Sequence, residues 1–259
     1  MELYSRIDGT GFPIVILHGL LGSSENWRTV SKRLSQAYRV YSVDLRNHGQ
    51  SPHSETMTYP VMADDLREFF ERKGISEAHL VGHSLGGKVA MQLASSYPDP
   101  VKKLAVVDIA PKAYPPSQRP ILTALQRLEL QSFSSFGEID AALTSAIPEI
   151  AVRQFLMKNI ARVPNTGFHW RIDLASIADN YHHLTKAIIP AQKYDKPALF
   201  VRGGRSDYIQ DGDLASIRAI FPRAELMTIA SAGHWVHAEA TEEFLRVLSA
   251  FLNTHHRYF

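Results

Sequence analysis

Ala78-His79-Leu80-Val81-Gly82-His83-Ser84-Leu85-Gly86-Gly87-Lys88-Val89-Ala90-Met91-Gln92-Leu93 is the stretch whose reading decides the fold. Its centre is G-x-S-x-G, a pattern that alone arises by chance in about one chain in ten of this size. The flanks make it specific: an apolar run suited to a strand precedes it and an apolar helical run follows directly. A strand turning sharply into a helix holds the serine exposed at the strand's end, and the glycines are needed because a Cβ at either position would clash. The helix N-terminus also supplies unpaired N–H groups that favour negative charge developing beside Ser84.

Outward from the elbow the same rhythm repeats. Ile14–Leu17, Val40–Val43, His79–Val81 and Leu104–Val107 read as short buried strands, continuous in apolar character as parallel strands covered on both faces are. Between them Tyr59–Lys73 places Met62, Leu66, Phe69 and Phe70 on one helical face, and Leu85–Ser96 forms the helix after the elbow. After Ala110 the rhythm stops. Residues 111–190 carry Pro111, Pro115, Pro116, Pro120, Pro148, Pro164 and Pro190, helix-like spacing at Ile121, Leu122, Leu125 and Leu128, and no clear strand. From Ala198–Val201 the β/α order resumes, with a helix near Asp213–Ile220, a strand Glu225–Ile229 and a last helix Thr241–Leu252. The expectation is an α/β core formed by 1–110 and 191–259, its sheet mostly parallel with helices on both faces, and a helical cap inserted at 111–190. The tail His255–Phe259 is expected to fray.

Composition narrows the chemistry. The chain has 259 residues, 45% of them hydrophobic, and no cysteine, so disulfides, thiolate catalysis and Cys-ligated metals are excluded. A formal net charge of +2 from interspersed residues offers no nucleic-acid face. No apolar run approaches the roughly 20 residues a membrane span needs, and no secretory leader is read at the start, so a cytoplasmic protein is expected. His182-His183 is rejected as a metal site, because neighbours on a helix point apart and no carboxylate cluster accompanies them.

A serine hydroxyl needs a base, and attack on an acyl carbon needs donors for the oxyanion. The donors expected are the backbone N–H groups of Leu85 and of Leu20 in His18-Gly19-Leu20-Leu21-Gly22, which follows the first of these strands. The base is His234 in Ala232-Gly233-His234-Trp235, a loop at the same sheet edge as Ser84; His237 reads as a packed or capping residue. Two aspartates at strand ends, Asp108 and Asp207, could orient it, and spacing alone leaves both open.

Arg46-Asn47-His48-Gly49, Gly82-His83-Ser84-Leu85-Gly86-Gly87-Lys88, Asp108-Ile109-Ala110-Pro111 and Ala232-Gly233-His234-Trp235-Val236-His237-Ala238-Glu239 together resemble the YbfF-type esterases of the α/β-hydrolase superfamily, over the whole chain. The resemblance implies an esterase acting on acyl esters and acyl-CoA thioesters; the triad chemistry itself is expected to need no cofactor. It also implies Asp108 as the acid, with Ser206 in the more usual acid's place and able to touch His234. Asp207 beside that serine departs from the family pattern.

The cap is expected to wall an acyl pocket with Leu20, Leu21 and Trp235, while Phe133, Phe136 and Trp170 serve mainly as the cap's own core. Arg46, Lys88 and Arg119 are candidates to meet an anionic head group. The partner expected is a small acyl ester or thioester. The same triad would also suit a C–C hydrolase or lyase, or a ligand-binding protein with negligible turnover.

Overall fold

The structure is a computed structural model that describes residues 1–254; the tail read as frayed lies outside them. Among the described residues nine strands and ten α-helices follow in the order β1 (Ser5–Asp8), β2 (Phe12–Leu17), α1 (Arg28–Leu34), β3 (Tyr38–Val43), α2 (Tyr59–Lys73), β4 (Ala78–His83), α3 (Leu85–Ser96) and β5 (Val101–Val107). Then come α4 (Arg119–Gln126), α5 (Phe136–Leu143), α6 (Ile150–Met157), β6 (Ile160–Val163), β7 (Gly167–Trp170) and α7 (Leu174–Leu184). The chain closes with β8 (Ala198–Gly203), α8 (Asp213–Ile220), β9 (Ala224–Ile229), α9 (Val236–Glu239) and α10 (Thr241–Asn253).

Seven strands form one sheet in the order β1-β3-β2-β4-β5-β8-β9, with only β1 antiparallel to its neighbour. Alternation along each buried strand divides the core between the two faces. Ile14 and Ile16 pack with Trp27, Val30, Leu34, Phe244 and Leu248, the side covered by α1 and α10. Val15 and Leu17 pack with Met62, Leu66, Val89 and Leu93, the side covered by α2 and α3. All six residues of β4 are buried, which explains why its sequence is not alternating. Because the parallel strands run the same way, the loops after β2, β4, β5, β8 and β9 all open at one edge.

Between β5 and β8 the chain leaves the sheet for four helices, and here one expectation fails. The segment read as strandless contains the hairpin β6–β7, paired Ile160–Trp170 through Val163–Gly167. Each arm is only four residues, too short for a period-two signal. The turn rests on two left-handed residues, Asn165 (φ 67°) and Gly167 (φ 83°).

Candidate active site

Ser84 sits between β4 and α3 with φ 52° and ψ −116°, a conformation rare for a residue with a side chain. The backbone closes tightly around it. A Cβ on Gly82 would lie 2.3 Å from the Gly86 carbonyl oxygen, and one on Gly86 would lie 2.5 Å from that of His18. Both positions therefore require glycine.

Asp108 follows β5 directly, also at positive φ (52°), and is fully buried. Its carboxylate accepts from the Gly203 amide at 3.0 Å, from the Ser206 hydroxyl, and from His234 Nδ1 at 2.8 Å. A carboxylate offers no proton here, so Nδ1 carries one and Nε2 is left as the basic nitrogen. Tyr208 stacks on the imidazole with ring centroids 4.0 Å apart, fixing its plane. Asp207 is exposed and shares no hydrogen bond with His234 among the described residues. Of the two aspartates left open by spacing, the structure brings Asp108 to the histidine.

His83 links two loops of the site. Its Nε2–H donates to the His234 carbonyl oxygen at 2.9 Å, and its ring is so close to Gly19 that a Cβ there would lie 2.8 Å from Nδ1. Burial, with His234 and His237 nearby, holds its pKa well below the usual value, so it stays neutral. His237 is buried and stacked on Trp27 at 4.1 Å, a packed residue as expected.

The loop after β2 is shaped by buried polar groups that sequence reading gave no role. Leu21 lies at φ 58°; its N–H donates to His48 Nε2 at 3.1 Å and its carbonyl accepts from Asn159 Nδ2 at 2.7 Å. His48 in turn donates through Nδ1 to the Arg46 carbonyl at 2.9 Å, while His18 Nε2 accepts from the Leu45 amide at 3.0 Å. Burial lowers the pKa of His18 to about 4 and of His48 to about 3, so both remain uncharged acceptors. Among the described residues the N–H groups of Leu20 and Leu85 have no protein acceptor, and both residues line the same cavity as Ser84. Asn159 lies two residues beyond α6, and no local pattern announces it; its contact spans 138 residues.

That cavity measures about 590 Å³ and is walled from the core by Leu21, His83, Ser84, Lys88, His234 and Trp235, and from the 111–190 segment by Tyr114, Ile121, Val152, Phe155, Tyr181 and Thr185. Two basic candidates lie elsewhere. Arg46 is buried in a bidentate pair with Asp65, at 2.6 and 2.8 Å, and does not line the cavity. Arg119 is exposed, donates to the Ala178 carbonyl at 2.8 Å and lies over the Tyr181 ring. Each had a nearer partner that a sequence does not display. Phe133, Phe136 and Trp170 also lie off the cavity; Phe136 packs edge-on to Phe168. Among the described residues no group of three or more His, Asp or Glu could hold a metal, and no helix is long and apolar enough to cross a membrane.

A mostly parallel sheet that delivers Ser84, Asp108 and His234 to a single edge has the architecture of an α/β hydrolase. A family model described as the alpha/beta hydrolase fold matches residues 13–241, and the chain belongs to that family. It is 36% identical over 243 residues to the esterase YbfF of Escherichia coli, covering 93% of each protein, which agrees with the resemblance carried by its motifs. It is 38% identical over 262 residues to a mouse protein named sn-1-specific diacylglycerol lipase ABHD11, covering 96% of this chain and 84% of that one. Among solved structures, one titled marine microorganism esterase superposes with a TM-score of 0.94 at 39% identity, covering 96% of this chain and 99% of that one.

Proposed function

We propose that this chain is a serine hydrolase of carboxylic esters, extending to short- and medium-chain acyl esters and acyl thioesters such as acyl-CoA, with residues 111–190 as a cap over the core. The observation that carries the reading is the hydrogen bond from His234 Nδ1–H to the buried Asp108 carboxylate, His234 and Ser84 both lining one cavity. His234 Nε2 takes the Ser84 proton as Oγ attacks the acyl carbon. Asp108 fixes the tautomer and stabilises the imidazolium that forms. The Leu20 and Leu85 amides receive the oxyanion, each such donor being worth about 10²–10³ in rate. The imidazolium gives its proton to the leaving group, and water activated by the same nitrogen then releases the acid from Ser84. No cofactor enters this sequence.

The test is labelling by a fluorophosphonate probe together with hydrolysis of nitrophenyl acetate and butyrate. Wild type should label and turn over, and Ser84→Ala should do neither. An unlabelled wild type would overturn the reading in favour of a ligand-binding protein.

A further inference from the structure

Four Lys or Arg side chains are buried among the described residues: Arg46, Lys88, Lys103 and Arg153. Three are compensated. Arg46 pairs with Asp65, Arg153 pairs with Asp140 and two carbonyls, and Lys103 donates to three carbonyls at the end of α10. Lys88 differs. Its ammonium has one acceptor, the Lys186 carbonyl at 2.6 Å, and otherwise meets the ring faces of Tyr114 at 4.8 Å and Tyr59 at 5.3 Å.

A buried ammonium is costly unless paired, and a methionine of similar length would fill the space without that cost. Lys88 lies one helical turn beyond Ser84 on α3 and lines the same cavity, so the uncompensated charge stands where a substrate enters. The groups packed against it are Tyr59 from α2, Tyr114 from the segment after β5, and the chain after α7. Burial raises the pKa of both tyrosines, so neither supplies a negative charge. Lys112, on the other contact of the Tyr114 ring, is already paired with Asp213. Burial also pushes the Lys88 pKa down to about 7, with no carboxylate near enough to offset it.

We infer that Lys88, framed by Tyr59 and Tyr114, is the specificity-determining residue of an anion subsite in this cavity, which receives a carboxylate carried by the ester substrate. The inference rests on the ester-hydrolase reading above and deepens it. The aromatic faces only partly offset the burial of the ammonium, and an arriving carboxylate supplies the missing acceptor and favours the charged form.

The experiment compares matched pairs of esters in wild type and Lys88→Met. One pair carries the charge on the acyl side, mono-nitrophenyl glutarate against its neutral methyl ester. The other carries it on the alcohol side, 4-acetoxybenzoate against methyl 4-acetoxybenzoate. The quantity read is the charged-to-neutral ratio of kcat/KM within one preparation, which cancels the folded fraction. Lys88→Met should lower that ratio by about ten- to a hundredfold in one pair, the range expected for losing a hydrogen bond to a charged group, and the affected pair names the side. An unchanged ratio in both pairs overturns the inference. If Lys88→Met yields no folded protein, wild type decides: competitive inhibition by glutarate but not glutaramide supports the subsite, and equal inhibition or none overturns it. Hydrolysis of the neutral esters, abolished by Ser84→Ala, reports separately on the ester-hydrolase reading.

Discussion

In β4 every one of six residues is buried, whereas α6, in the segment that walls the cavity from outside the sheet, buries only Arg153 and Leu156 of its eight. The residues proposed for chemistry hang on strands of the sheet: Ser84 after the fully buried β4, Asp108 after β5, which buries six of its seven residues, and His234 after β9, which buries two of its six. The segment is joined to the core by scattered hydrogen bonds, among them Tyr59 to the Leu184 carbonyl, Gln92 to both backbone groups of Ile189, and Asn159 to the Leu21 carbonyl. The sheet thus sets the reacting atoms by backbone position, and the segment shapes the cavity with less packing behind it. The segment reaches the loop after β2 through Asn159, and the ring beside His234 through Tyr114, whose hydroxyl donates to the Tyr208 carbonyl at 2.6 Å.

The widest division between the regions should appear in rate. Asp108→Asn is expected to lower kcat by about 10⁴, as loss of the tautomer-fixing acid does in the serine protease triad. Asp207→Asn, at an exposed site without the histidine contact, should change kcat less than about twofold. Steady-state kinetics on nitrophenyl butyrate checks both, and the reverse ranking would exclude Asp108 as the acid.

Acidity should act on the core first. His18 and His48 are neutral in the fold with pKa values lowered to about 4 and 3, below the ordinary value near 6.5. The unfolded chain therefore binds more protons, and stability present above pH 6.5 is lost as pH falls toward 4. The slope approaches about 1.4 kcal/mol per pH unit for each such histidine. Urea unfolding at pH 7.5, 5.5 and 4.5 measures it; His48→Gln, which keeps an acceptor that cannot ionise there, should flatten the dependence.

These two expectations draw on parts of the sequence of unequal legibility. The elbow, the buried strands and the position of the loop carrying His234 were readable because each is local: a glycine pattern between a strand and a helix, or a run of apolar residues. The fates of Arg46 and Arg119 were not, since Asp65 and the Ala178 carbonyl that hold them come from separate helices. Nor were the roles of His18 and His48 legible, because a histidine accepting a single backbone N–H looks like any other of the twelve in the chain. The hairpin β6–β7 escaped because four-residue arms carry too little alternation.

Asn159→Ala tests a place where the division breaks down. Without its amide, Leu21 keeps a strained φ with only His48 holding it, and the neighbouring Leu20 N–H loses its aim. The expected result is a fall in kcat of about tenfold with KM changed less than twofold, equivalent to about 1.4 kcal/mol of transition-state stabilisation. A change confined to KM would mean that the residue only shapes the cavity. A smaller effect than that of Asn159→Ala, and on stability, is expected from Tyr59→Phe, which removes the bond to the Leu184 carbonyl. It should cost about 1 kcal/mol in thermal or urea unfolding.

The left-handed turn at Leu21 has a practical meaning for anyone who wishes to redesign this enzyme. Its carbonyl is gripped from one region and its amide from the other. A foreign segment grafted between β5 and β8 to admit new substrates would remove one of those grips. Such a chimera should bind well and react slowly until an amide side chain is restored at the place Asn159 now occupies.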